Sequence, residues 1–186
     1  LKFCFEWIYF ILQEATTTFP EHIETITLTD DIKIIPKNAF ENYMSLKSII
    51  LPSYLTDILS YAFYGCTSLK EIQMPSMLRK IGKVAFSKCT SLTSVTIPKN
   101  VKKLSQCAFS ECTSLTHVRI PSSMSISRDC FLKCNSLSSI VISNSENDDS
   151  RVPICSNETI RINFMQNFRY KNFSEIQIPQ NAMQIN

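Results

Sequence analysis

The chain has 186 residues, 44% of them hydrophobic, which suffices for one domain that buries roughly 70% of the surface its unfolded form exposes. Its 19 Lys and Arg nearly balance its 16 Asp and Glu, so the total charge gives no case for a nucleic-acid-binding protein, which usually carries a strongly basic face. Because Gly occurs only twice, Gly-rich phosphate loops and dinucleotide-binding fingerprints are absent.

The first 22 residues form a segment of their own. Residues 3–12, "FCFEWIYFIL", are almost wholly apolar, but they are too few to span a membrane, which takes about 20 such residues. A signal peptide has a core of this length, yet no clean small-residue cleavage site follows it. Two interpretations of residues 1–22 stay open: an apolar cap over the next element, or the remnant of a targeting segment.

Residues 23–142 repeat a single pattern, LxxIxIPxxVxxIxxxAFxxCxSL, about every 23 residues. The phrase AFxxCTSL, for example, begins at Ala62, at Ala85 and at Ala108. Five blocks are in register, and the block that begins at Leu115 is one residue shorter than the others. A motif for catalysis is needed once, whereas a packing motif is needed at every turn of a repeating structure.

Each block predicts the same three elements. LxxIxI is a short strand whose apolar residues point inward, and Pro ends it because Pro donates no ladder hydrogen bond. A second apolar pair, such as Val101 and Leu104, returns along the other side. AFxxC is expected to make a short helical turn in which Phe fills the space between coils. Stacked blocks then give a parallel sheet and one continuous core.

The pattern fails after Ile142. The polar, acidic stretch "SNSENDDS" predicts a surface loop, so residues 143–172 are interpreted as a degenerate repeat or insertion. "FSEIQIPQNAMQI" restores the motif, and residues 173–186 are interpreted as a partial last repeat. An exposed last strand would be an aggregation hazard, so we expect that the array continues or that something covers it.

The repeat resembles the BspA-like branch of the leucine-rich repeat superfamily, because Pro after the strand and AFxxC are typical of that branch. The resemblance implies an α/β repeat fold: a right-handed leucine-rich repeat solenoid with a parallel concave sheet and short helical or 3-10 turns on the convex side. It also implies a non-enzymatic role. Many members are surface proteins of bacteria and anaerobic protists, and some are adhesins. A cell-surface or secreted location is therefore favoured, and a cytoplasmic one stays open.

The eight cysteines invite a disulfide or zinc interpretation. Cys66, Cys89, Cys112 and Cys134 occupy one repeat position, however, and a row of small buried thiols accounts for them. Their side chains should run parallel, which disfavours disulfides. A metal trio of Cys107, Cys112 and His117 lacks the paired spacing of structural zinc. No cofactor and no metal is predicted.

An enzyme has no support in the sequence. A nucleophilic Cys or Ser needs a nearby His and an orienting carboxylate, and the only histidines are His22 and His117. His117 is expected on a strand, between serines of the adjacent coils. Carboxylates do not recur as a converging pair. We therefore predict no catalytic residues and no small-molecule substrate.

The expected concave face is the candidate binding site, although an ordinary solvated sheet would look the same. Its outward positions form two rows across the coils. The candidate partner-binding residues are Ser48, Ile50, Glu71, Gln73, Ser94, Thr96, His117, Arg119, Ser139 and Val141. We predict a protein partner and no nucleic acid, and leave membrane association open. The alternative function is an intracellular scaffold or regulatory subunit that uses the same face.

Overall fold

The computed structural model describes residues 2–3, 23–121, 123–127 and 129–143. Within them lie eleven short strands. They are β1 (Lys2–Phe3), β2 (Thr25–Leu28), β3 (Ile34–Ile35), β4 (Ser48–Ile50), β5 (Asp57–Ile58), β6 (Lys80–Ile81), β7 (Ser94–Thr96), β8 (Lys103–Leu104), β9 (His117–Pro121), β10 (Ser125–Ile126) and β11 (Ser139–Ser143).

The described strands belong to two faces of a parallel solenoid of about five turns. We call β2, β4, β7, β9 and β11, with β1 beside β2, the long-strand face; it consists of two three-stranded sheets, β1-β2-β4 and β7-β9-β11. The short-strand face is one five-stranded sheet in the order β3-β5-β6-β8-β10. Each strand of the repeats pairs in parallel with the equivalent strand of at least one neighbouring coil, as the repeat predicts, and β1 pairs in parallel with β2.

The core lies between the two faces and repeats with the sequence. Each block contributes its inward strand residues and its second apolar pair, and these join one hydrophobic cluster along the described coils. The phenylalanines of AFxxC stack on one another, with ring centroids 5.0 to 5.8 Å apart along the row Phe40, Phe63, Phe86, Phe109 and Phe131. The predictions of parallel strands, inward positions and intercoil Phe packing are confirmed.

The prediction of helical or 3-10 turns is wrong: the described residues contain no helix. The reason lies in the hydrogen bonds of AFxxC. Amides that turn back on the local chain alternate with amides that reach the next coil. The N–H of Ala39 donates to Pro36 O at 3.4 Å, for example, whereas that of Phe40 donates to Ala62 O at 2.8 Å. In an α-helix, every amide would instead donate along the axis to the carbonyl four residues earlier in the same segment.

This alternation places two residues per coil in left-handed backbone conformation. The first precedes the Ala-Phe pair and the second follows it by two positions. The left-handed residues are Asn38 and Asn42, Tyr61 and Gly65, Val84 and Lys88, Cys107 and Glu111, and Asp129 and Lys133, all with φ between 55° and 71°. Left-handed residues do not continue a right-handed helix, so each AFxxC segment is a series of tight turns.

The predicted boundaries at both ends fall largely outside the described residues. The assignments of residues 143–172 to an insertion and 173–186 to a partial repeat lie there, apart from Ser143, which ends β11. The interpretation of residues 1–22 as a cap or a targeting remnant also lies there, except for β1. In β1, Lys2 and Phe3 pair with Thr27 and Leu28 of β2. These assignments, and the right-handed curvature, stay predictions.

Candidate functional site

The strand register brings the predicted site residues of the later coils together. On the long-strand face, Ser94 lies opposite His117, and His117 lies opposite Ser139. The next row sets Thr96 beside Arg119 in the same way. Neighbouring strands lie about 4.8 Å apart, so each row brings its side chains within reach of one ligand surface.

The second row continues in both directions along the face. Val141 lies opposite Arg119, and on the first coils Thr27 lies opposite Ile50. None of the ten candidate residues is buried. Ile50 is 59% exposed, which is unusual for an isoleucine on a sheet and makes it an apolar contact point between polar neighbours.

The structure adds a break in this face that the sequence did not predict. Residues 71–73 occupy the strand position of the third coil, but they form no strand, and the long-strand face is split there into two sheets. Ile72 still points into the core, with 5% of its surface exposed. Glu71 and Gln73 are exposed on either side of it. The two polar candidates therefore lie at the junction between the sheets.

A third row, missed by the sequence reasoning, borders the predicted ones. It consists of the residue before each strand, and its early members are charged: Lys47 Nζ lies 2.6 Å from Glu24 Oε1. Its later members are hydroxylated, and Thr93 and Thr116 each donate to a carbonyl of the preceding coil, at 3.4 and 2.9 Å. The position before the strand has no preferred residue type along the blocks. In the sequence, therefore, it can be recognised only by its constant spacing.

His117 has a local partner and no catalytic setting. Its Nδ1 lies 2.8 Å from Thr116 Oγ1, and the side chain is exposed on the face. The row neighbours of His117 are serines, and Arg119 is the cation two residues along the strand. Glu71 is two coils away, about 10 Å by strand spacing. The face thus carries an acidic point and a basic region that are separated by neutral side chains.

The recurrent cysteines are buried, as expected, and are held as free thiols in the core. Each donates from Sγ to the carbonyl oxygen of a phenylalanine in the preceding coil, as in Cys66 to Phe40 at 3.1 Å and Cys89 to Phe63 at 3.2 Å. Burial raises the pKa of the Cys66 thiol to about 12. Since the thiolate is the nucleophilic form, these residues pack and donate hydrogen bonds but are not set up for catalysis.

No metal-binding group of three His, Cys, Asp or Glu side chains occurs in the ranges that the structure describes. The metal trio considered above is not assembled. Cys112 is buried and donates to Phe86 O at 3.1 Å, while His117 is exposed on the long-strand face.

Comparison with known proteins gives the repeat a family. The model of the BspA type leucine rich repeat region matches residues 18–138 in six copies. The chain belongs to the BspA-type leucine-rich repeat family. Leucine-rich repeat proteins generally act as protein-interaction modules and are typically non-enzymatic, and no catalytic family is indicated for this chain.

Solved leucine-rich repeat structures are similar to the chain. A leucine rich cell surface protein from Faecalibacterium prausnitzii is 26% identical, with a TM-score of 0.64 over 74% of this chain and 37% of its own. A leucine-rich repeat protein from Eubacterium ventriosum is 28% identical, with a TM-score of 0.60 over 64% of this chain and 33% of its own.

The leucine-rich repeat protein of T. pallidum is also 28% identical, with a TM-score of 0.55 over 61% of this chain and 64% of its own. The chain thus spans about a third to two thirds of the length of these structures. Among curated proteins, no sequence is similar enough to count as a match. In the described ranges, no helix has the length and apolarity needed to cross a membrane.

Proposed function

We propose that this leucine-rich repeat chain binds a protein partner on its long-strand face, centred on Glu71, Gln73, His117 and Arg119. One observation carries the proposal: the outward residues of this face are unburied and chemically varied, and those of β7, β9 and β11 are in register, whereas the inward positions are uniformly apolar. The core explains the inward residues. The core sets no requirement on the residue type at the outward positions.

We place the centre of the binding site where the side chains differ chemically from the other outward residues of the two rows. Most outward residues are Ser, Thr or small apolar residues, which discriminate weakly between partners. Glu71, His117 and Arg119 are the charged or titratable exceptions, and Arg is enriched among residues that dominate binding energy. An acidic point about 10 Å from a basic one suits a partner patch with the opposite arrangement of charges.

Photo-cross-linking tests this proposal with positional resolution. A photoreactive residue in place of Ser94, between Glu71 and His117, should capture a partner from a lysate of the source cells. The double variant Glu71→Ala, Arg119→Ala should lose that capture. The matched control is Glu111→Ala, Lys133→Ala. It removes one acid and one base from the side of the solenoid formed by the AFxxC turns, which we call the turn side, where the two groups lie 3.9 Å apart.

Equal capture by a folded Glu71→Ala, Arg119→Ala variant and by the wild type would place binding elsewhere on the molecule. Loss of capture in the control pair as well would point to a general electrostatic effect and would also count against this face. Circular dichroism of each variant verifies the fold.

We further propose that the chain works at the cell surface, as a surface antigen or adhesin. The support is the similarity to the Faecalibacterium prausnitzii structure, which is described as a cell surface protein. Antibody labelling of intact source cells should detect the chain. Labelling only after permeabilisation would favour the alternative, an intracellular scaffold or regulatory subunit that uses the same face.

A further inference from the structure

The middle of the chain is basic, although the chain as a whole is nearly balanced. Residues 72–110 contain seven Lys and Arg and no Asp or Glu. Because this stretch covers nearly two coils, its charges recur at neighbouring positions of the solenoid. One of the seven, Lys88, belongs to the turn side, where its Nζ lies 5.2 Å from the centroid of the Tyr64 ring. Lys99 lies in the turn before β8, and the other five lie in or beside β6 and β8.

Five of these cations form a compact cluster, which we call the basic patch. β6 pairs with β8 at Ile81 and Leu104. One residue earlier, this register places Lys80 beside Lys103, and the 23-residue period places Arg79 beside Lys102. Lys83 extends the cluster just beyond β6. All five side chains are exposed. The patch lies on the short-strand face and is separate from the long-strand face that we propose for a protein partner.

The charges of the basic patch are not neutralised within the described part of the chain. The ion pairs found there join Lys47 to Glu24 and Lys133 to Glu111, and neither involves the patch. The carboxylate in the same row is Asp57, which lies opposite Lys80. Its Oδ2 lies 2.7 Å from Thr56 Oγ1, which donates to it. Asp129 lies near the Lys83 end, since both groups influence the pKa of Cys107. Two carboxylates against five cations leave the patch positive.

The fold does not require cations at the positions of the basic patch. In the same row of the short-strand face, Ile34 precedes Asp57, and Ser125 follows Lys103. An uncharged side chain therefore fits the position that Lys80 and Lys103 occupy. Like charges on adjacent strands repel and reduce stability. A cluster that the repeat does not need, and that opposes folding, fits a site for an anionic ligand.

We propose that the basic patch binds a linear sulfated polysaccharide. The two rows of cations run across the coils, with about 4.8 Å between successive side chains of a row. Such an array can contact a polymer that carries an anionic group on each of several successive units. Four of the five cations are Lys, whose ammonium is a point charge without the planar fork that Arg offers to bases and carboxylates. Recognition of the polymer by these lysines therefore depends on the charge density of the polymer.

Other polyanionic partners fit less well. Single-stranded nucleic acid is held by several aromatic side chains that stack on successive bases. The aromatic residues of 72–110, Phe86 and Phe109, are fully buried. Beside the patch, Tyr61 is half-buried, and its N–H donates to Lys83 O at 3.1 Å.

A membrane surface takes apolar side chains that insert between lipids. Met77, 39% exposed, and Tyr54, 62% exposed at the equivalent position of the preceding coil, are large exposed side chains on this side, and two such side chains are few for insertion between lipids.

Heparin and dextran sulfate are the probes, with unsulfated dextran as the neutral reference. The wild type should bind both sulfated polymers at an ionic strength of about 0.15 M and release them as salt rises. The variant Arg79→Gln, Lys80→Gln, Lys102→Gln, Lys103→Gln should bind them about 10- to 100-fold more weakly. The matched control, Lys47→Gln, Lys70→Gln, Lys88→Gln, Lys133→Gln, has the same net charge and should stay within about threefold of the wild type.

Three results would overturn the proposal. The first is no binding of the sulfated polymers by the wild type. The second is equal loss in both quadruple variants, which would mean unspecific ion exchange. The third is tighter, patch-dependent binding of duplex DNA, or of phosphatidylcholine vesicles with about 30% phosphatidylserine, which would assign the patch to another class of partner. Partner capture at Ser94 is a separate readout, so the two proposals fail independently.

Discussion

Each described coil contributes one phenylalanine to an aromatic ladder inside the solenoid. Phe86 is fully buried, and its ring stacks on Phe63 and Phe109 with centroids 5.0 and 5.1 Å away. The interplanar angles are 7° and 4°, so the rings are nearly parallel. Parallel rings at the coil spacing mean that one side chain supports the coil on each side of it.

Phe86→Ala should therefore lower the free energy of unfolding by about 3–5 kcal/mol, because it leaves a cavity between two coils. Chemical denaturation measures the loss. The control is Tyr54→Ala, at a residue 62% exposed, which should change stability by no more than about 0.5 kcal/mol. A loss below about 1 kcal/mol for Phe86→Ala would show that the ladder does not hold the coils together.

The buried thiols predict a loss of stability at high pH. Burial raises the pKa of Cys66 to about 12 from 9.0, so the folded state keeps its proton after the unfolded state has lost it. Below about pH 9 the contribution of the protonated thiol is fully present. Between about pH 9 and 12 it is lost, at up to about 1.4 kcal/mol per pH unit.

Denaturation of the wild type and of Cys66→Ala at several pH values between about 8.5 and 10.5 measures this slope. The slope should be shallower in Cys66→Ala. Leu69→Val, a nearby buried change without a titrating group, should lower stability and leave the slope unchanged. Equal slopes in wild type and Cys66→Ala would mean that the thiol meets solvent in the folded state.

At the scale of the element, the turn after each short strand is the part that departs from expectation. The left-handed position before Ala-Phe is occupied by Asn38, Tyr61, Val84, Cys107 and Asp129, which share no backbone preference. Their conformation is imposed by intercoil hydrogen bonds, such as Phe63 N–H to Ala85 O at 2.8 Å. These hydrogen bonds join different blocks, so the sequence of one block does not reveal them. The pattern of a single block therefore suggested a helix.

Val84 is the least suited of these residues, because a β-branched side chain strongly disfavours its φ of 60°. Val84→Asn should raise the free energy of unfolding by about 1 kcal/mol, since Asn tolerates left-handed backbone. The mirror change, Asn38→Val at the equivalent position with φ 61°, should lower it by a similar amount. Thermal melting compares the two variants, and shifts of the same sign would contradict this account.

The strands, in contrast, were predictable, and so was the outward placement of the candidate site. Period-two burial in LxxIxI fixes which side chains point out, and the register follows from the constant 23-residue period. The split at Ile72 was not predictable, because the block there keeps the same pattern as its neighbours. The basic patch was also missed: it emerges only when residues 23 apart are set side by side.

At the scale of the whole molecule, the coils are equivalent units that contact mainly their neighbours. Deletion of residues 69–91 removes one complete block and joins Ser68 to Leu92, which is the junction found between any two blocks. The shortened chain should fold and unfold cooperatively, at a lower midpoint than the wild type, because one interface between coils is lost.

The control is deletion of residues 69–80, which leaves half a block and puts the following strands out of phase. This chain should lose cooperative unfolding, because its apolar residues no longer meet those of the neighbouring coil. Urea denaturation followed by circular dichroism distinguishes the two deletions. Similar behaviour of both would mean that the coils are not interchangeable units.

The two faces share a core yet have separate exteriors. The strands of the long-strand face and those of the short-strand face contribute inward residues to one hydrophobic cluster, while their outward residues enter solvent in different places. Under our two proposals, a substitution at Glu71 or at Lys103 would change binding on its own face and would leave the inward core residues as they are. Recognition can diversify independently on each face, coil by coil, while the inward half of every repeat stays constant. Such a chain can acquire a second ligand without giving up the first.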